Sequence, residues 1–233
     1  QFSQIGNSRM TPETALAQLG TTPQKANQMA RYHKVDRPYL GIATKAIDAA
    51  VKEWRATLDL DGRLALASNL WDSNVHEGRI AAAKLLAQAR IRPDDGPAWD
   101  LICTWVSDFD ERVIADHVSV AGQKRLLDDP SRLDVVETWI MSEHMWTRRA
   151  AFTMTQPWTK QNHPKTTEID ARNRILGWAA QLADDKSFLI QSAIAGWLRD
   201  LSKHDHDRVA NFVDEHGSEL KKFALKEASL HLG

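Results

Sequence analysis

The block Trp146-Thr147-Arg148-Arg149-Ala150-Ala151 sets long polar side chains directly ahead of small ones. Weaker versions of the arrangement stand at Glu77-Gly78-Arg79-Ile80-Ala81-Ala82-Ala83, at Gln191-Ser192-Ala193-Ile194-Ala195 and at Lys226-Glu227-Ala228. From Ala150 to Ala193 and from Ala193 to Ala228 is close to one helical-hairpin repeat of roughly 34 to 47 residues, and from Ala82 to Ala150 is close to two. A hairpin of that length cannot cover its own apolar face and does so by stacking on the next, the small residues allowing close approach. The spacing therefore predicts an all-α superhelix, a solenoid of HEAT-like helical hairpins. Arg79, Arg149 and Gln191 are expected to align along one concave face.

Working outward, apolar residues recur at offsets of three, four and seven in segment after segment: Ile47, Ala50, Val51 and Trp54; Ala82, Leu85, Leu86 and Ala89; Ile175, Trp178, Ala179 and Leu182; Ile190, Ala193, Ile194 and Trp197. That is the period of amphipathic helices, and no segment shows the alternation of a strand. Between them lie breakers such as Arg92-Pro93-Asp94-Asp95-Gly96-Pro97, Asp128-Asp129-Pro130-Ser131 and His163-Pro164-Lys165-Thr166-Thr167, which start helices or forbid their continuation. Short helices joined by short turns are expected, without strands.

The 233 residues suffice for one sizeable core, and a single domain is expected over 10–233, preceded by a tail over 1–9 without periodicity. No apolar run approaches the roughly 20 residues of a membrane-spanning helix, and the N-terminus lacks a secretory layout, so a cytoplasmic protein is expected. Cys103 is the single cysteine, which excludes an internal disulfide and a multi-cysteine zinc site. With 30 Lys plus Arg against 31 Asp plus Glu the net charge is −1, so any nucleic-acid site must arise from local segregation of charge. Nine tryptophans against two tyrosines is an unusual balance; Trp71, Trp139 and Trp178 sit at helical spacing among apolar residues and read as core fillers. The run His204-Asp205-His206-Asp207 reads as a turn and N-cap rather than a metal site, and nucleotide-binding glycine motifs and serine-hydrolase elbows are missing from the sequence.

With these segments in view, the chain resembles the AlkD-like DNA alkylation repair family over nearly its whole length after residue 23. Ala30-Arg31-Tyr32-His33-Lys34 followed by Tyr39-Leu40-Gly41-Ile42 is similar to the family's opening helix and turn, and Leu70-Trp71-Asp72-Ser73 with His76-Glu77-Gly78-Arg79 to its next hairpin. Trp139-Ile140-Met141-Ser142 and the Trp146 to Ala151 block resemble its Trp-x-x-x-Arg-Ala-Ala helix. Ser187 to Ile194 with Leu198-Arg199 is similar to the helix after it, and Leu225-Lys226-Glu227-Ala228 to the C-terminal one. The specificity lies in the ordered set.

The resemblance implies a HEAT-like solenoid whose channel holds duplex DNA, releasing cationic N3- and N7-alkylpurines without metal or cofactor, as a monomer. Alkylation makes the purine a good leaving group, and a carboxylate beside the sugar stabilises the developing oxocarbenium. Asp116 matches the family's catalytic Asp, with Asp110 the competing assignment. Tyr32 and Arg149 match DNA-contacting positions, and Arg112, Arg148 and Arg199 join them as expected DNA contacts. Two departures stand out: Arg112 and Gly196 occupy the positions of the family's cleft tryptophans, and Trp197, one place displaced, is turned by about 100° toward the core. These departures carry an alternative reading, a HEAT-like module that binds DNA or a protein partner without turnover.

Overall fold

The structure, a computed structural model, describes residues 9–233, so the expected tail lies outside the described residues save for Arg9. Among these residues there are thirteen α-helices and no strand, in agreement with the helical period of the sequence. They fall into two compact units, one extending to Lys124 and one spanning Arg125–Gly233.

The first unit contains α1 (Pro12–Leu19), α2 (Pro23–His33), α3 (Thr44–Thr57), α4 (Leu60–Asp72), α5 (His76–Leu85) and α6 (Gly96–Val106). The chain leaves it within α7 (Arg112–Asp128). Starts follow local chemistry: Pro12 opens α1 behind Thr11, whose hydroxyl accepts from the Thr14 amide, and Asp59 accepts from the Gly62 amide at the head of α4. Helix α5 packs on α3 and α4, and its Ala81-Ala82-Ala83 run is fully buried between them. Ile47, Val51 and Trp54, three of the four residues whose spacing marked α3, are 1–2% exposed.

In the second unit, α8 (Leu133–Trp139), α9 (Met145–Thr153), α10 (Thr166–Gln181), α11 (Phe188–Ser202), α12 (His206–His216) and α13 (Lys222–Ala228) follow one another. Helices α9, α11 and α13 stack side by side, while α10 and α12 form a second layer. Trp178 and Trp197, both 1% exposed, fill the interior. Trp71, Trp139 and Trp178 are all buried, as their spacing implied.

The repeat appears directly in the polar contacts. The indole N–H of Trp54 donates to Gln18, that of Trp71 to Asp108, that of Trp178 to Glu137 and that of Trp197 to the Thr155 carbonyl, across 36, 37, 41 and 42 residues. Ion pairs repeat the pattern, Arg148 with Asp185 across 37 residues and Arg172 with Asp205 across 33. Each of these four core tryptophans thus anchors its polar edge on the neighbouring hairpin.

The polar residues of the repeat make contacts inside their own units. Gln191 is fully buried: its amide donates to the carbonyls of Ala183 and Asp185 and accepts from the Lys221 amide. Arg79 donates to the Trp71 carbonyl and lies 4.5 Å over the Trp71 ring, itself stacked on Trp105. Arg149 is 6% exposed, its guanidinium 5.6 Å from the Trp146 ring. A helix end leaves carbonyls without partners, and a long donor one hairpin strand away satisfies them. In Arg79 and Gln191 the repeated polar position is therefore a clamp within and between hairpins.

Candidate functional site

Helix α7 carries the carboxylate singled out by the sequence, and its N-terminus is unusually well anchored. Glu111, just ahead of the helix, accepts from the amides of Val113 (2.7 Å) and Ile114 (2.8 Å). This caps two of the first-turn donors and sets a negative charge at the positive end of the helix. The same carboxylate has His33 Nδ1 at 3.5 Å on one oxygen and His76 Nδ1 at 3.7 Å on the other. The end of α2, the start of α5 and the start of α7 therefore meet at one group.

Around this junction the aromatic rings form a nest. His33 stacks on Tyr39 at 5.8 Å and lies 4.5 Å from His76, and Tyr32 meets His33 edge-on at 5.0 Å while remaining 79% exposed. The 40–42 turn beneath is ordered by Glu77, fully buried, which accepts from the amides of Leu40, Gly41 and Ile42. Gly41 has φ +76°, and a Cβ there would collide with the Thr22 carbonyl and the Ala26 amide, so only glycine fits. Burial, aided by the nearby positive charges of His33 and Arg37, pushes the His76 pKa down to about 3.

Arg37 and Asp110 form an ion pair at the edge of this nest. The Arg37 side chain is 1% exposed, and its Nε and Nη1 have no hydrogen-bond partner among the described residues. Asp110 is thus the counter-charge of a buried cation, whose removal would leave an uncompensated charge.

Asp116 is differently placed. Ile114, Ala115, Val118 and Ala121 form the buried face of α7, while Arg112, Asp116 and Val120, at i, i+4 and i+8, form its outer stripe. The Asp116 carboxylate, 43% exposed, meets Arg112 Nε at 3.3 Å, and Arg112 is 67% exposed. Its neighbour His117 has its pKa pushed below the ordinary histidine value by burial and by Lys84.

The remaining sequence candidates lie in the second unit. Arg148 donates from Nε to Asp185 (3.1 Å) and from Nη1 to the carbonyls of Ser142 and Glu143, so it braces the turns before α9 and α11. Arg199 is paired with Asp200 (3.0 Å) and with Glu227 on α13. Gly196 opens on space, an added Cβ meeting only Arg199 Nη2 at 3.9 Å, and Trp197 turns inward as the helical angle requires. In the His204 to Asp207 run, Asp205 sits at the N-cap position of α12 and binds Arg172 and Arg208.

The first unit thus brings Arg112 to Asp116, and Tyr32 to a nest containing His33, His76, Arg37 and Glu111, four groups that sequence reasoning passed over. Glu111 carried a signal, an acid directly ahead of a helix start. The two histidines and Arg37 carried none, because their roles come from contacts across 33–111.

Comparison with known proteins follows the same lines. The model of the DNA alkylation repair enzyme family matches residues 13–232. Among solved structures, a predicted DNA alkylation repair enzyme from Enterococcus faecalis superposes with a TM-score of 0.76 at 18% identity, covering 93% of this chain and 98% of that one. The smu.31 protein of Streptococcus mutans gives 0.65 at 21% identity (90% and 100% covered), and AlkD2 from Streptococcus mutans 0.59 at 19% identity (89% and 97% covered). No curated protein matches the sequence. At these identities the structures speak for the fold, while the family model spans nearly the whole chain: the protein belongs to the DNA alkylation repair enzyme family.

Proposed function

We propose that the protein is a DNA N-glycosylase releasing cationic N3- and N7-alkylpurines from duplex DNA, with Asp116 as its carboxylate. The observation that carries the reading is the setting of Asp116: a half-exposed carboxylate on the outer stripe of a helix whose N-terminus is fixed by Glu111. Its Arg112 partner does not argue against this. An exposed i,i+4 pair contributes about 0.3–0.5 kcal/mol, so a DNA phosphate competes for the guanidinium at little cost. Drawing Arg112 to the backbone removes that ion pair from a carboxylate already on the outer stripe of the helix. Asp110 is a poorer choice, because diverting it strands the buried charge of Arg37.

In the reaction the C1′–N bond breaks with both electrons moving to the base, which leaves neutral because it began as a cation. The positive charge then resides on the sugar as an oxocarbenium, which the Asp116 carboxylate stabilises. Water adds at C1′, and Asp116 accepts its proton before passing it to solvent. The exposed Tyr32 and Arg112 support direct contact with the duplex, whereas Arg148, which braces two turns, and Arg149, 6% exposed, are held within the second unit. The test is incubation with N-methylated duplex DNA, scored for free base and abasic sites. Release above the spontaneous rate is expected, and release at the spontaneous rate with the duplex bound would contradict the reading.

A further inference from the structure

Phe188 and Phe223 form the most conspicuous exposed feature of the second unit. Their rings stack at 4.8 Å with planes 28° apart, yet they are 62% and 37% exposed. Two adjacent aromatic rings left in water are a cost that packing alone does not explain. Lys222 adjoins Phe223 and is exposed, Lys186 lies two residues before Phe188 and is exposed, and Lys221 donates from Nζ to the Lys186 carbonyl. Asp184 is the exposed acid of the same turn, whereas Asp185 is engaged by Arg148 and by the Ser187 amide.

The platform is built rather than incidental. Gln191, fully buried, holds the Ala183 and Asp185 carbonyls with its amide nitrogen and the Lys221 amide with its oxygen, bolting together the two turns that lead to the rings and lysines. An exposed aromatic pair on two turns that also carry the exposed Lys186 and Lys222 suits a nucleic-acid backbone, which alternates apolar deoxyribose with anionic phosphate. Phenylalanine is enriched in protein–protein interfaces and lysine depleted, so it is the exposed lysines of both turns that favour nucleic acid over a protein surface.

We propose that this platform is a contact site for the backbone of duplex DNA, with Lys186 and Lys222 on phosphates and the phenylalanine rings against the intervening deoxyribose. This rests on the reading of duplex DNA as the substrate and adds a contact that the catalytic carboxylate does not require. Its effect is on affinity: the lysines contribute through counterion release and the rings through apolar contact that salt does not screen.

The experiment is a fluorescence anisotropy titration of a short, undamaged, fluorescein-labelled duplex at several salt concentrations. It compares the parent protein, a Lys186→Gln/Lys222→Gln variant and a Phe188→Ala/Phe223→Ala variant, each checked by thermal melting. The lysine variant should weaken binding and flatten the slope of log affinity against log salt by nearly two, since about 0.9 is lost per phosphate contact. The phenylalanine variant should bind about tenfold more weakly at unchanged slope, through the loss of apolar burial. If the parent binds and both variants match it, the platform assignment is wrong and the DNA reading stands. If the parent fails to bind duplex at any salt concentration, the DNA reading itself fails and this contact with it. If the phenylalanine variant keeps its DNA affinity but loses a dimer seen for the parent by sedimentation velocity, the pair is a self-association face and the proposal is overturned.

Discussion

Replacing Glu77 should loosen the opening turn of the first unit by an amount that its hydrogen bonds set. The carboxylate is fully buried and accepts from the Leu40 amide on Oε2 (2.8 Å) and from those of Gly41 (2.8 Å) and Ile42 (3.3 Å) on Oε1. In Glu77→Gln the carbonyl oxygen keeps Gly41 and Ile42, but the new amide nitrogen faces the Leu40 N–H, donor against donor. One charge-assisted bond is lost and two weaken, a cost of about 2 kcal/mol. Glu77→Ala removes both acceptor oxygens and all three bonds and leaves the buried Gly41 amide without an acceptor, offset in part because a buried charge has gone, for about 4 kcal/mol. At about 2–4 °C per kcal/mol for a chain of this size, melting should fall by about 4–8 °C for Gln and about 8–16 °C for Ala. Circular dichroism melts of the three proteins make the comparison. A Glu77→Ala protein melting within about 1 °C of the parent would refute the claim that this carboxylate orders residues 40–42.

The depressed His76 pKa has a definite sign: between about 3 and the ordinary histidine value the unfolded chain binds a proton that the folded one refuses. Stability should therefore be full above about pH 6.5 and fall as pH is lowered, by about 2 kcal/mol at pH 5 from this group; in urea titrations a His76→Gln variant should lose less between pH 7 and pH 5 than the parent, and an equal loss would point to other groups. Arg112→Ala should change stability by no more than about 0.5 kcal/mol, because its pair with Asp116 is exposed. A loss above about 2 kcal/mol would make Arg112 structural and count against Asp116 as a carboxylate that DNA can uncover. Gln191→Leu keeps the volume but strands two carbonyls and the Lys221 amide, so a loss of about 3 kcal/mol is expected; near-parental stability would show that water replaces the amide.

Much of the fold was legible because helical burial leaves a period. Ile47, Val51 and Trp54, or Ile175, Trp178 and Ala179, announce both the helix and its buried face. The inward turn of Trp197 followed from the helical angle alone. The fate of the repeated polar residues was not legible: a pattern that sorts residues into apolar and polar assigns Gln191 and Arg79 to solvent. Whether a long donor reaches water or a neighbour's orphan carbonyls depends on where the adjacent hairpin ends. The same limit hid the junction at Glu111, which joins residues 33, 76 and 111, and the meeting of Phe188 with Phe223. Asp116 could be named from the ordered family blocks, but the contrast between its exposed partner and the buried partner of Asp110 emerges only from the packing.

Single-turnover release of N-methylpurine from duplex DNA by the parent, Asp116→Asn and Asp110→Asn proteins, each at a concentration that saturates the duplex, decides whether Asp116 is the carboxylate of the reaction. Removing the Asp116 charge takes away oxocarbenium stabilisation without opening a cavity, so release should fall to the spontaneous rate while duplex affinity and melting stay near the parent's. Asp110→Asn should lower the melting temperature, because the buried Arg37 loses its counter-charge, yet retain release while folded. Equal release by Asp116→Asn and the parent would contradict the account.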